Sequence, residues 1–186
     1  MNTGLGSNVN YKLNKKEIEN FQELIVDGRS SSVGKFLDED IGLLLLYARC
    51  IQLSKGNTGI SPKLFKYLMK CLEKGFSPAI PEFGSIGAGD LTQNATFAIA
   101  LLGKAKFWNR GKIIASKNKL ISSKIKPPKL EGKDAMALIN HSCLSIALSG
   151  KALNDTSHAF MMMQFSALFS FAVSYTHLRA HETKRN

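Results

Sequence analysis

The sequence predicts a mainly α-helical protein that carries one short β-hairpin. Several segments place apolar residues three and four positions apart, the spacing that one face of an α-helix requires. Two of these segments also carry helix-start signals, namely Asp38 followed by acidic residues and Ser61 followed by Pro62. Residues 161–171 are apolar on nearly every side, which is typical of a helix buried in a larger helical assembly.

The predicted helices and strands are separated by segments rich in turn-forming residues. Helices are predicted at residues 15–26, 38–53, 61–74 and 90–102, and a long helix is predicted from 133 to 154 or beyond. The hairpin is predicted at residues 105–116, with its turn at Asn109-Arg110-Gly111. Segments 28–34 and 77–89 are rich in Gly, Ser and Pro and are predicted to be loops, and 124–132 an extended linker.

The composition argues against nucleic acids, membranes and metal ions as partners. The net charge is +11, but the basic residues are mostly lysines spread along the chain, without a dense block or interleaved aromatic residues. We therefore expect a solvated lysine-rich surface and no nucleic-acid partner. The sequence shows no signal-peptide pattern and no apolar run long enough to cross a bilayer, so no membrane association is expected. Three widely spaced cysteines, Cys50, Cys71 and Cys143, indicate reduced thiols in a cytoplasm and no metal site.

The last residues differ in character from the rest. Residues 173–186 resemble one reading frame of an adapter used in preparing DNA sequencing libraries. We therefore predict a native segment, residues 1–172, followed by a tail, residues 173–186, that is not native. His177 and His181 within this tail have the spacing of zinc ligands on a helix, but we predict no metal site there.

Four collinear segments carry the functional signal. Residues 81–91 read PEFGSIGAGDL, and the other three are NTGLG at 2–6, SKGNTG at 54–59 and KDAMALIN at 133–140. Together they resemble motifs of the histidine, phenylalanine and tyrosine ammonia-lyase family, and the resemblance covers about residues 2–172. It implies the N-terminal domain of such an enzyme, leading into a long helical bundle that is truncated in this chain.

The resemblance also implies an activity and a cofactor. Members of the family eliminate ammonia from histidine or an aromatic amino acid without oxidation, and they are cytoplasmic homotetramers. Their electrophile is 4-methylidene-imidazol-5-one (MIO), which forms autocatalytically from an Ala-Ser-Gly tripeptide. By position, Ala88 and Gly89 correspond to the outer residues of that tripeptide. Asn140 corresponds to the asparagine that holds the substrate carboxylate, and Gly4 lies in a substrate-binding segment.

The sequence departs from the family pattern in several places. No serine stands between Ala88 and Gly89, and Ser85 is a poor replacement because the β-branched Ile86 follows it. Either this is a relative that lost the MIO group, or one codon is missing from the sequence. The family's catalytic tyrosine would precede Asn2, so we expect a truncated N-terminus. Residues 27–30 lack the histidine found in histidine-specific members, and His141 stands where the family usually has glycine, with no assigned role.

Three functions therefore remain open. The first is an ammonia-lyase, or a related aminomutase, in the form of a fragment that is inactive by itself; the second is a relative without MIO that binds an amino acid; the third, which the spread of the lysines disfavours, is a basic nucleic-acid binder. Asp90 is expected to cap the helix that follows it in any of these cases. The run Met161–Met163 is expected to be core packing, since methionine fills irregular gaps.

Overall fold

The computed structural model describes residues 10–12, 15–85, 87 and 89–182. Its helices are α1 (Lys15–Asp27), α2 (Glu39–Ser54), α3 (Pro62–Glu73), α4 (Leu91–Leu101), α5 (Ser116–Ser122), α6 (Asp134–Ile139) and α7 (Cys143–Glu182). Its strands are β1 (Val33–Phe36), β2 (Ser77–Pro78), β3 (Pro81–Phe83), β4 (Lys106–Asn109) and β5 (Lys112–Ala115). The mainly α-helical fold class is therefore confirmed.

The chain divides into two units, Met1–Ala147 and Leu148–Asn186. The first unit holds an apolar core, in which α2 packs on α3 while α1 and α4 pack on α6. Leu45, Leu68 and Phe97 are fully buried at its centre. The proposed boundary between residues 172 and 173 stays a prediction.

Helix starts in the first unit follow the signals in the sequence. Ser61 accepts a hydrogen bond from the backbone amide of Leu64 at 3.2 Å, and Pro62 occupies the first helical position of α3. Proline is favourable there because its missing N–H would have no partner within the helix. Asp38 stands at the N-cap position of α2, but its side chain makes no capping hydrogen bond.

Five short strands form two antiparallel sheets. The predicted hairpin is present as β4 and β5, and β2 extends it through the pairs Ser77↔Trp108 and Pro78↔Phe107. β1 pairs with β3 in a separate two-stranded sheet. Strands β2 and β3 and the first half of β1 lie where loops were predicted, so that prediction was wrong for these residues. The cause is that their hydrogen-bond partners are distant in sequence, a contribution that local composition does not carry.

The long helix predicted from residue 133 is interrupted. α6 ends at Ile139 and α7 begins at Cys143, and Asn140 between them has φ −89° and ψ 77°, outside the helical region. The continuous helix was therefore a wrong prediction. The chain turns sharply at residues 140–142, between two helices, and we call this turn the helix break.

The second unit consists of the α7 residues from Leu148 onward. From Leu148 to Tyr175 its large apolar side chains are exposed within this chain, and Met162 and Met163 are 65% and 69% exposed. The methionine run was predicted to pack in a larger helical assembly, which a single chain does not test, so that prediction stays open. By length and composition alone the segment Asp134–Thr176 is apolar enough to cross a membrane, which is weak evidence, so the expected absence of a membrane span stays a prediction.

Candidate active site

The loop at residues 84–90 joins β3 to α4 and is held by its own serine. Ser85 Oγ donates to the carbonyl oxygen of Gly89 at 3.1 Å and accepts from the backbone amide of Gly87 at 3.4 Å. Gly87 and Gly89 have φ values of +87° and +68°, in the left-handed region where a side chain is unfavourable. These glycines therefore allow the backbone to turn tightly around Ser85.

Side chains of α4 fasten the strand end of this loop. Thr92 donates through its hydroxyl to the carbonyl oxygen of Gly84. The Gln93 amide donates to the carbonyl oxygens of Pro81 and Glu82, at 2.9 Å and 3.0 Å. Because Thr92 and Gln93 are buried, their polar groups need partners inside the protein, and the loop backbone supplies them.

Asp90 closes the loop on its other side, but not by capping α4 as predicted. It occupies the N-cap position of α4, yet its side chain makes no capping hydrogen bond there. Its carboxylate instead accepts from Ser145, from the backbone amide at 2.9 Å and from the hydroxyl at 2.6 Å. Asp90 therefore caps the first turn of α7, where unpaired amides favour a negative charge.

Asn94 connects α4 to the helix break. Its side chain is fully buried, and its amide nitrogen donates to the carbonyl oxygens of Ile139 at 3.0 Å and His141 at 2.6 Å. These carbonyls lie on either side of Asn140, whose own amide donates to Met136. A Cβ placed on Gly89 would lie 3.5 Å from the carbonyl oxygen of His141. The loop therefore lies directly beside the helix break.

Both ring nitrogens of His141 have hydrogen-bond partners in this site. Its Nε2 donates to the carbonyl oxygen of Leu138 at 2.8 Å, and its Nδ1 accepts from the backbone amide of Cys143 at 3.2 Å. Burial, aided by the positive charge of Arg49, lowers the pKa of His141 to about 3. The imidazole is therefore neutral at physiological pH and acts as a second cap for α7.

Arg49 hydrogen-bonds to the backbone just before the helix break. It is buried in α2, and its Nε donates to the carbonyl oxygen of Ala137 at 2.9 Å. Its Nη1 donates to the side-chain oxygen of Gln52 at 2.6 Å, and Cys143 Sγ donates to that same oxygen at 3.1 Å. This network fixes the last turn of α6 and the first residue of α7 to α2.

The structure brings together some of the predicted site residues. Gly89 lies beside the helix break, and the Asn140 side chain is exposed there, with no hydrogen bond within the described ranges. Ala88 and Gly4 lie outside the described residues, as does the whole segment 2–6. Their roles, like that of Asn140, stay predictions.

Two motifs that are far apart in sequence also meet. A Cβ on Gly59, in the SKGNTG segment, would lie 3.3 Å from the side chain of Lys133, the first residue of KDAMALIN. Nearby, the buried carboxylate of Asp134 accepts from the backbone amide and the hydroxyl of Ser61, at 2.7 Å and 2.8 Å. The start of α6 is therefore fastened to the start of α3.

Sequence reasoning missed Asn94 and Arg49. A signal for each was present, because both are polar residues at positions that helical periodicity assigns to the core. Arg49 continues the buried series of Ile41 and Leu45 at intervals of four, and Asn94 lies in a helix that is buried almost all round. A buried polar side chain requires partners, and Arg49 and the amide nitrogen of Asn94 find theirs in the backbone around the helix break, whereas Asn94 Oδ1 has no hydrogen-bond partner within the described residues.

The residues present do not fit the MIO group as the family builds it. That ring takes its methylidene carbon from a serine between alanine and glycine, and this chain has no residue between Ala88 and Gly89. The hydroxyl of Ser85 is close, but it is bonded to the loop backbone and Ile86 follows it. The loop therefore has glycines such as the ring requires, but not the serine.

The fold and the loop define an ammonia-lyase type of scaffold, and comparison with known proteins agrees. The family model for aromatic amino acid lyases matches residues 1–184 of this chain. The chain therefore belongs to the aromatic amino acid lyase family.

Two relatives illustrate the similarity. A probable histidine ammonia-lyase of Thermoplasma volcanium is 31% identical over 180 residues, which cover 96% of this chain and 36% of that protein. A histidine ammonia-lyase of Legionella pneumophila is 33% identical over 154 residues, covering 82% of this chain and 30% of that protein. The chain thus spans about a third of the length of these relatives.

Solved structures share the fold. Phenylalanine aminomutase from Pantoea agglomerans superposes with a TM-score of 0.73 and 32% identity, covering 79% of this chain and 28% of that one. Histidine ammonia-lyase from Trypanosoma cruzi gives a TM-score of 0.74 and 27% identity, covering 82% and 30% respectively.

Proposed function

We propose that this chain is part of an amino acid ammonia-lyase, which eliminates ammonia from histidine or an aromatic amino acid without oxidation. The observation that carries the proposal is the position of the 84–90 loop, beside the helix break that presents Asn140. Relatives named as histidine ammonia-lyases support this reaction. Because the chain spans about a third of their length, the rest of the substrate pocket would come from the remainder of the protein.

Asn140 would hold the substrate. Its exposed carboxamide can donate a hydrogen bond to the substrate carboxylate, and the backbone on both sides of it is fixed by Asn94. The N-terminal end of α4 lies next to the loop and favours negative charge there. In this proposal Ala88 and Gly89 occupy the place of the electrophile, and Gly4 lies in the substrate-binding segment.

We further propose that the chain as written forms no MIO and is inactive by itself. The missing serine also supports a second candidate function, a relative that binds an amino acid without converting it. An aminomutase is a related candidate, because phenylalanine aminomutase is among the similar structures. Both candidates keep the same loop and the same Asn140, and they differ in the fate of the bound amino acid.

The full-length protein is proposed to be a cytoplasmic homotetramer that binds neither nucleic acid nor membranes. The exposed apolar residues of α7, such as Phe160, Leu168 and Phe171, support burial against other helices in such an assembly. The three buried cysteines are free thiols, which supports a reducing compartment.

A chimera tests the proposed reaction. Residues 1–172 of this chain would replace the matching segment of the Legionella pneumophila histidine ammonia-lyase, either unchanged or with a serine inserted between Ala88 and Gly89. With the serine present, we expect an intact mass lower by two water molecules and release of ammonia from histidine, phenylalanine or tyrosine. The unchanged chimera is expected to show neither, because it lacks the source of the methylidene carbon.

An alanine inserted at the same position is the matched control, because it restores the loop length without the hydroxyl. Ammonia release by the unchanged or the alanine chimera would show that the serine is not required and would contradict the inactive-loop proposal. A folded serine chimera that neither loses water nor releases ammonia would overturn the lyase proposal. Binding of an amino acid by that chimera, measured by calorimetry, would then support the non-catalytic candidate.

A further inference from the structure

A cavity beside α5 is lined by aliphatic side chains and lysines. It has a volume of about 420 Å³ and is lined by the end of α4, by α5 and by the following segment to Pro127. Its apolar lining residues are Leu102, Leu120, Ile121, Ile125 and Pro127. We propose that this cavity, the α5 cavity, binds a small amphipathic anion, namely an apolar body with a carboxylate or phosphate head. The proposal does not depend on the lyase reaction.

Its size suits a small molecule. Ligand pockets in proteins typically measure roughly 300–1,000 Å³ and are mainly apolar with a few polar groups that fix orientation. The α5 cavity falls in that range, and its apolar lining offers only aliphatic side chains to the body of a ligand. Aliphatic walls favour an alkyl or arylalkyl chain over nucleic-acid bases, which stack on aromatic side chains.

Its charge selects an anion. Lys117, Lys124 and Lys126 line the α5 cavity, and in the described part of the chain none of the three takes part in an ion pair. A neighbouring depression of about 300 Å³ shares Lys124 and Lys126 with it. That depression adds Lys66 and Lys70, and also Lys63, which forms an ion pair with Glu131 at 2.8 Å. Glu131 already neutralises Lys63, but no acidic residue is among the lining residues of the α5 cavity, so the charge of Lys117, Lys124 and Lys126 is left for a ligand to neutralise.

The backbone of Lys124 is an independent sign of a site. Lys124 follows the C-terminal end of α5 and has φ +55°, in the left-handed region. Its backbone amide donates to the carbonyl oxygen of Ile121, and the amide of Ile125 donates to that of Leu120. Glycine normally occupies this position because it has no Cβ. This chain uses glycine after α3 and α4, at Gly75 (φ +63°) and Gly103 (φ +85°). Non-glycine residues with a left-handed backbone are enriched at functional sites, although they also occur in turns, as Arg110 (φ +53°) does in the hairpin, and Lys124 lies at the cavity wall.

A titration of the full 186-residue chain tests the proposal, with isoleucine methyl groups observed by NMR. The probe is octyl phosphate below its micelle concentration. Octyltrimethylammonium controls for head charge, and inorganic phosphate controls for the apolar body. We expect saturable shifts of the Ile121 and Ile125 methyl groups with octyl phosphate and no saturable shifts with either control. Because exposed charge pairs contribute little individually, replacing Lys117, Lys124 and Lys126 by glutamine together should weaken binding about tenfold.

Two variants separate binding from folding. Lys124→Gly relieves the left-handed strain, so it should keep or raise the thermal midpoint while it weakens octyl phosphate binding. Replacing Lys35, Lys74 and Lys112 by glutamine is the matched charge control, because these exposed lysines line neither depression, and it should leave affinity unchanged.

Several outcomes would overturn the proposal. They are equal binding of the octyl cation, shifts confined to isoleucines outside the cavity such as Ile146, and equal weakening by the two triple variants. Binding to anionic phospholipid vesicles without binding of monomeric octyl phosphate would also overturn it, because it would identify a membrane-docking surface instead.

Discussion

The carboxylate of Asp90 accepts two hydrogen bonds from Ser145, at 2.9 Å from its backbone amide and 2.6 Å from its hydroxyl. Asp90 ends the loop that carries the family resemblance, and Ser145 lies in the first turn of α7. One buried side chain therefore fixes the loop to the helix that follows the break. The position of the loop thus depends on a residue 55 positions further along the chain.

Removing this carboxylate is expected to destabilise the first unit. Because hydrogen bonds to charged groups contribute more than neutral ones, Asp90→Ala should lower the free energy of unfolding by about 2–3 kcal/mol. Ser145→Ala, which loses only the hydroxyl bond, should cost about 1 kcal/mol. Urea unfolding of both variants and the double variant measures the coupling.

The double variant should cost little more than Asp90→Ala alone. Ser149→Ala serves as control, because Ser149 is exposed one turn further along α7 and should change stability by less than about 0.5 kcal/mol. Strictly additive effects of Asp90→Ala and Ser145→Ala would contradict the direct contact.

The role of Asp90 shows where sequence reasoning stops. An aspartate immediately before a helix is a sound prediction of an N-cap, and Asp90 does occupy that position. The carboxylate can serve only one helix end, however, and the start of α7 lies within its reach. Which end it serves depends on the packing of α4 against the helix break, and local sequence does not carry that information.

Asn94 offers a test of the helix break itself. In Asn94→Asp a carboxylate oxygen would face the carbonyl oxygens of Ile139 and His141, which now accept from the amide nitrogen. We expect a loss of about 3 kcal/mol or more at pH 7, since a buried charge would lack a donor. Measurement by urea unfolding against the unchanged chain gives the difference.

The pH dependence of that difference has a definite sign. The folded state favours the neutral acid, so the pKa of the new carboxyl is raised above its unfolded value of about 3.9. The variant should therefore approach the unchanged chain in stability as the pH falls towards 4, and fall behind as the pH rises. A cost that does not depend on pH would contradict burial of this side chain at the break.

His141 predicts a pH dependence of the unchanged chain. Burial and Arg49 lower the pKa of His141 to about 3, while the unfolded chain has the usual value of about 6.5. Between these values the unfolded state binds more protons, so stability falls as the pH is lowered from 6.5. The slope contributed by one such group is at most about 1.4 kcal/mol per pH unit.

Urea unfolding between pH 7.5 and 5 measures this slope, above the range in which most carboxylates titrate. His141→Gln is the matched variant, because glutamine keeps a donor and an acceptor but does not titrate in this range. We expect a flatter profile for His141→Gln. Parallel profiles would show that His141 is accessible to protons in the folded chain.

Much of the fold was predictable because its signals are local. The boundaries of α1, α2, α3 and the hairpin follow from apolar spacing, from Ser61-Pro62 and from a glycine turn. The helix break was missed because residues 133–154 show continuous helical periodicity, and no local breaker marks Asn140. The break is stabilised by distant contacts, from Asn94 and Arg49, each to a backbone carbonyl near it.

The central claim is that the loop at Gly89 lies against the helix break, and disulfide trapping tests it most directly. A Cβ on Gly89 would lie 3.7 Å from Ser142 Oγ, whereas a Cβ on Gly87 would have no neighbour within 4 Å. Under mild oxidation, the pair Gly89→Cys and Ser142→Cys is predicted to form a disulfide, identified by peptide mapping without reductant. The pair Gly87→Cys and Ser142→Cys is predicted to stay reduced. Failure of the first pair to cross-link, or equal cross-linking of both pairs, would contradict the account.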